Sequence, residues 1–241
     1  VDGRPNPQLM VLVPISFAAF DNAQYWDDVA RRQALVDRLS NGKLGYLHIR
    51  AMGAAAVLDF ERDLYAAASG KQGLIIDVRD NGGGYLDIAA EVAYMVAGPG
   101  LTTGRTFEKT VFSDKHTTRD PVTGQVITPV PFHATAQGFS VPDGQALPTL
   151  NLSRVTVLTG ANTCSASESI INGLQGVGVQ VIQVGATTCG KPYGFYPRDN
   201  CGTTYFSIQF RGANEKGFGD YPDGFSPANA TRNGTRSSAS A

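Results

Sequence analysis

Ser165, Lys191 and the glycines Gly82, Gly83 and Gly84 are the residues whose types and settings could support covalent chemistry. A serine hydroxyl is a poor nucleophile until a neighbouring base takes its proton, and a lysine amine can be that base when neutral. Ser165 and Glu168 stand three apart just ahead of Ile170, Ile171 and Leu174, the spacing of a capping box at a helix start. A serine there also places the next amide, that of Ala166, near the positive end of the helix dipole, where a developing oxyanion is stabilised. Plainer roles compete: Ser165 as an N-cap only, and Lys191 as a solvated hairpin residue. The segment from Gly185 to Lys191 has the glycine and lysine spacing of a phosphate-binding loop. Pro192 replaces the Ser or Thr that would hold magnesium, and Tyr193-Gly194-Phe195-Tyr196-Pro197, next in the chain, cannot begin the required helix.

The elements that must position these residues are legible from periodicity. Residues 155–159 form an apolar, β-branched run that ends in Gly160-Ala161-Asn162 and delivers the serine cluster to a helix, which Gly176 and Gly178 end. A second apolar run, 179–185, hands over to Lys191, so a strand-helix-strand unit brackets one serine and one lysine. Earlier in the chain, 44–49 reads as a strand, 54–69 as a helix through Val57, Phe60, Leu64 and Ala68, and 74–78 as a central strand buried on both faces. That central strand ends in Arg79-Asp80-Asn81-Gly82-Gly83-Gly84, and ligands of α/β sheets collect at such strand ends. Residues 86–97 form the next helix, stopped by Gly98-Pro99-Gly100. Residues 22–39 read as a helix leading into the core, with Trp26 as a packing anchor, and 9–15 as an edge strand at most.

Residues 101–148, rich in Thr, Gly, Pro and Gln, read as a surface excursion with one strand-like piece at 105–112, suited to a lid or substrate channel. His116 and His133 lie in it and are expected on the surface, while His48 on the first core strand is expected to be a hydrogen-bonded structural residue. Residues 203–210 alternate like a strand, and 218–224 form a turn-rich closing segment.

Four ordered blocks together resemble the tail-specific, or C-terminal processing, serine peptidases. They are Gly45-Tyr46-Leu47-His48-Ile49, the Gly73-Leu74-Ile75-Ile76-Asp77-Val78-Arg79-Asp80-Asn81-Gly82-Gly83-Gly84 strand and turn, Ser165-Ala166-Ser167-Glu168, and Gly190-Lys191. The resemblance implies an α/β core of the ClpP/crotonase-like type, a β sheet flanked by helices with a long loop-rich excursion. It implies Ser165 as nucleophile and Lys191 as base, with a backbone amide of Gly83, neighboured by Gly84, joining that of Ala166 in the oxyanion hole. The implied reaction is acyl transfer from a polypeptide substrate to Ser165, then hydrolysis of the acyl-enzyme. Two positions depart from the family pattern. Phe195 stands where a lysine-orienting glutamine is frequent, and Ser40-Asn41 has asparagine where the related tricorn core proteases have histidine, which favours a lysine dyad.

Competing classes are a binding module of the same fold that carries an apolar ligand or peptide, and a crotonase-type acyl-CoA enzyme. Retention of Ser165 and Lys191 argues against the first, and the lack of a convincing carboxylate pair against the second. The 20 basic and 21 acidic residues are interspersed over 241 residues with a net charge of −1, which excludes the basic stripe of a nucleic-acid binder. No run reaches the length of a membrane span, and no His/Cys/Asp/Glu spacing suggests a metal or other cofactor. The expected organisation is an N-terminal lead over 1–40, a peptidase core over 41–228 and a polar tail over 229–241. Starting at Val1, the chain reads as a processed or trimmed product, and a periplasmic or secreted location is expected. Cys189 and Cys201 flank a turn-rich stretch, so a local disulfide is expected between them, with Cys164 the odd thiol.

Overall fold

The computed structural model describes residues 14–53, 63, 67, 69–139 and 142–228, with the backbone of 231–232 and 235–236. The readings at 9–13, for most of the 54–69 helix and for the 229–241 tail therefore lie outside the described residues.

A parallel sheet carries the site. Its strands are β1 (Leu44–His48), β2 (Gly73–Asp77), β5 (Arg154–Thr159) and β6 (Gln180–Gly185), in the order β1-β2-β5-β6. Pairing is parallel throughout, with Leu47 opposite Ile76, Ile76 opposite Val157 and Thr159 opposite Gly185. The β-branched and apolar runs lodge Leu74, Ile76, Val155 and Val157 in the core because the helices cover them, as parallel sheets require. Helix α2 (Leu86–Ala97) packs against α4 (Ala166–Gly176), and both are buried over most of their length. Helix α1 (Phe17–Leu39) begins earlier than its periodicity suggested, capped by the Ser16 hydroxyl, which accepts from the Ala19 amide at 3.2 Å. It packs along β1 but buries only Val29 among its own residues; Trp26 is half-buried, with its ring 4.9 Å from that of Tyr25.

The 101–148 excursion is less superficial than its composition implied. After the short α3 (Pro99–Thr102), β3 (Thr106–Val111) and β4 (Val130–Pro131) join β10 (Phe210–Ala213) and β7 (Tyr193–Gly194) in an antiparallel sheet ordered β4-β3-β10-β7. Phe107, Phe132 and Leu147 are buried in the main core, because this second sheet closes over α4. The alternating 203–210 stretch is not one strand. β9 (Thr203–Tyr205) pairs with β8 (Arg198–Asn200) in an exposed hairpin, while β10 starts only at Phe210; Phe206 and Ile208 between them meet no covering layer and stay exposed. Among the described residues, no helix is long and apolar enough to cross a membrane.

Candidate active site

The site forms where the carboxyl ends of β2 and β5 meet the segment after β6. β2 ends on Asp77, which is fully buried, and Arg79 neutralises it through Nε to Oδ1 at 2.9 Å and Nη2 to Oδ2 at 2.6 Å. The Tyr46 hydroxyl donates to Oδ2 at 2.6 Å, and burial together with that carboxylate pushes the phenol up to about 12. Burial works to raise Asp77 as well, but the Arg79 and Tyr46 bonds outweigh it and hold the carboxyl below its ordinary range. This ionic anchor fixes the direction in which the glycine turn leaves the sheet.

Asn81 then joins that turn to the serine helix. Its side chain donates to Ile49 O and accepts from the Gly83 amide, each at 2.9 Å, while its own carbonyl accepts from Cys164 N at 3.2 Å and Ser167 Oγ at 3.0 Å. Gly83, at φ +99°, lies back to back with the Ser165 turn: a Cβ there would be 2.8 Å from Ser165 Cβ and 2.9 Å from Ala166 N. Ser165 itself has φ +57° and ψ −122°, a conformation L-residues rarely hold, and it presents the side chain at the head of α4.

Glu168 does more than the capping role its spacing suggested. Its carboxylate is wholly buried and accepts from the amides of Ser165 at 3.0 Å, Gly190 at 2.8 Å and Lys191 at 2.8 Å, and from Thr188 Oγ1 at 2.5 Å. One side chain thus binds the backbones that carry both candidate catalytic residues. The Ser-x-x-Glu spacing revealed half of this; the contacts to the lysine segment depend on tertiary proximity.

The disulfide corrects the expectation from sequence. Cys164, next to Ser165, is bonded to Cys189, two residues before Lys191, with Cα atoms 5.2 Å apart, and Cys201 is the exposed free thiol. Cys189 is drawn to the serine loop, where its amide donates to Thr163 O at 2.9 Å, rather than to the β8–β9 hairpin. Both sulfurs lie within 4.8 Å of the Glu168 carboxylate, but bonded sulfurs are not thiolate ligands and that carboxylate is already engaged by amides.

Ser165, Ala166, Lys191, Gly82 and Gly84 line one cavity of about 370 Å³, together with Leu86, Glu108 and Phe210. Of the expected oxyanion donors, the Gly83 amide is committed to Asn81, whereas the Gly84 amide has no acceptor among the described residues. The Ala166 amide, in the first turn of α4, has no intrahelical acceptor by construction. Lys191 Nζ is 5.0 Å from the Phe195 ring centroid, a cation–π geometry, and makes no hydrogen bond to Ser165 Oγ.

The histidines stand apart from this cavity. His48 Nδ1 pairs with the Tyr25 hydroxyl at 2.8 Å, as a structural residue would, and burial lowers its pKa. His116 is exposed, but His133 is half-buried, with Nε2 2.9 Å from Asp87 Oδ1, because the excursion folds back on α2. Ser40 and Asn41 occupy the turn before β1, at the edge of the parallel sheet opposite Ser165.

The model for Peptidase family S41 matches residues 43–195. A Streptomyces coelicolor protein described as tricorn protease homolog 2 is 46% identical over 63 residues, which are 26% of this chain and 5% of that protein. The solved structure of an S41-family protein from Bacteroides fragilis superposes with a TM-score of 0.59 at 25% identity, over 78% of this chain and 47% of that one. A photosystem II D1 C-terminal processing protease shares the fold with a TM-score of 0.50 at 23% identity, over 76% of this chain and 41% of that one. The chain thus spans less than half the length of each of these proteins, and the likeness bears out the expected α/β core.

Proposed function

We propose that this chain, which belongs to Peptidase family S41, is a serine peptidase that hydrolyses polypeptides, by internal cleavage or C-terminal processing, through Ser165 and Lys191. The observation that carries the reading is the cavity in which Ser165 and Lys191 meet the amides of Ala166 and Gly84. Ser165 Oγ attacks the scissile carbonyl while neutral Lys191 Nζ takes its proton. The oxyanion is received by Ala166 and Gly84, the lysine returns the proton to the leaving amine, and water resolves the acyl-enzyme by the same route. Lys191 must leave the Phe195 ring to reach Ser165, a rotation of an unbranched side chain that a bound substrate would favour by covering the ring. The Cys164–Cys189 disulfide supports an extracytoplasmic location, where such bonds persist.

The test uses a fluorophosphonate probe and a quenched peptide pool. Labelling should fall on Ser165, and folded Ser165→Ala, Lys191→Ala and Lys191→Arg should each lose roughly a thousandfold or more in turnover, the arginine variant because its guanidinium stays protonated. Substantial activity in folded Lys191→Ala would move the base elsewhere. An absence of labelling joined to tight binding of an apolar ligand or peptide would make the chain a carrier.

A further inference from the structure

The floor of the Ser165 cavity holds a group that hydrolysis does not use. Glu108, on β3, is 7% exposed, and burial pushes its carboxyl up to about 7 against a partial offset from Ser169. Oε2 accepts from Ser169 Oγ at 2.8 Å, and Oε1 has no partner among the described residues. Ser169 lies one helical turn beyond Ser165 on the same face of α4, so the cavity runs from the nucleophile down that turn to the carboxyl. Opposite stands Gly212, where a Cβ would be 2.3 Å from Glu108 Cδ; the backbone leaves the space the carboxyl fills.

An acid taken out of water is costly unless charge or hydrogen bonds compensate it, and one hydroxyl is little compensation. The charged and titratable groups around it are few. Lys191 and Tyr193 line the same cavity but neither an ion pair nor a hydrogen bond joins them to Glu108, Tyr221 of the closing segment is a phenol that burial holds above its ordinary value, and Glu168 on α4 is turned to its amides. Leu86, Pro192 and Phe210 give the walls an apolar character that suits the methylenes of a long side chain.

We propose that Glu108 is the specificity determinant of this pocket, receiving the cationic side chain, lysine or arginine, of the substrate residue that supplies the scissile carbonyl. The proposal rests on Ser165 being the nucleophile, since that fixes which substrate residue faces the cavity. A long basic side chain would lay its stem along the apolar walls and bring its charge to the unpartnered oxygen.

Binding and cleavage are measured separately. Ser165→Ala protein is titrated with two fluorescent peptides that differ only in lysine or norleucine at that residue, with anisotropy as the readout. At pH 8 the lysine peptide should bind roughly tenfold tighter or better, and the ratio should shrink as pH falls through about 7, where Glu108 takes up a proton. Substrate lysine stays protonated throughout, and the norleucine peptide cancels any change at Lys191. Glu108→Gln in the same background should bring the ratio to within about twofold. Equal binding at pH 8, or a preference that survives in folded Glu108→Gln, overturns the proposal. If that variant does not fold, a lysine preference unchanged between pH 5 and pH 8.5 overturns it in the Ser165→Ala protein alone. A lysine preference in binding, with neither peptide cut when Ser165 is restored, would remove the peptidase reading and keep the pocket. Cleavage of both peptides at equal kcat/KM would do the reverse.

Discussion

Glu168 Oε2 accepts from both backbones that must stay in register, those of Ser165 and Lys191, while Oε1 accepts from the Gly190 amide and the Thr188 hydroxyl. All of its partners are donors, so the position needs an acceptor on both sides. A glutamine supplies one acceptor oxygen and an amide whose hydrogens would face the N–H groups on the other side. Glu168→Gln should therefore destabilise the fold by about 2–4 kcal/mol, the cost of leaving buried donors unmet. It should also slow fluorophosphonate acylation of Ser165, because the Ser165 and Lys191 segments lose their common brace. The two effects are read by urea unfolding and by labelling rate at a temperature where the variant is fully folded. Wild-type acylation in a folded Glu168→Gln protein would reduce Glu168 to an ordinary helix cap. Lys191 presents a contrast. It lines the same cavity as Ser165, but only the structure shows its amine resting over Phe195, which stands where a glutamine is frequent in the family pattern.

The strand-helix-strand unit from β5 through α4 to β6 was readable because each element has a clean period and a glycine or polar stop. The consequence of pairing those elements was not readable from local spacing. Parallel pairing sets Thr159 opposite Gly185, so the segments after β5 and β6 emerge side by side, and the cysteine of each reaches the other. Cys201, nearer in sequence to Cys189, is carried off on the β8–β9 hairpin. Alkylation of unreduced, denatured protein should then modify Cys201 alone; label on Cys164 would show the assignment wrong. The bond ties the residue before Ser165 to the segment that carries Lys191, across a sequence separation of 25. Reduction, or Cys164→Ser with Cys189→Ser, should cost about 3 kcal/mol of stability by freeing that loop in the unfolded chain. Labelling of Ser165 should slow as well, while Cys201→Ser should change neither property.

Across the whole molecule, the parallel sheet and its helices were legible in the sequence pattern, whereas of the second sheet only β3 was, as the strand-like piece at 105–112; β4, β7 and β10 are short and are drawn to it from distant segments. Composition made 101–148 look like surface, yet the excursion places Phe107 in the core and Glu108 in the lining of the Ser165 cavity. The two layers join where Phe107 meets Gly173 on α4. A Cβ at Gly173 would lie 2.5 Å from both Cδ2 and Cε2 of that ring. Two effects of Gly173→Ala oppose each other. Alanine in a helix interior is favoured over glycine by about 1 kcal/mol. The methyl, however, must displace an aromatic ring that is 1% exposed and stacked edge-on against Phe132 with centroids 5.3 Å apart, so the ring cannot simply turn away. Overpacking of this kind costs about 1–3 kcal/mol, and a contact of 2.5 Å belongs at the upper end of that range. Gly173→Ala should thus lower stability by about 1–2 kcal/mol net, the difference of those two effects, and the displaced β3 should carry Glu108 with it. Urea unfolding gives the first quantity, and the lysine-to-norleucine preference gives the second, expected to fall while Ser165 remains reactive to fluorophosphonate. A Gly173→Ala protein more stable than wild type would mean that the layers yield freely at Phe107, and that β3 is not the rigid support its burial implies.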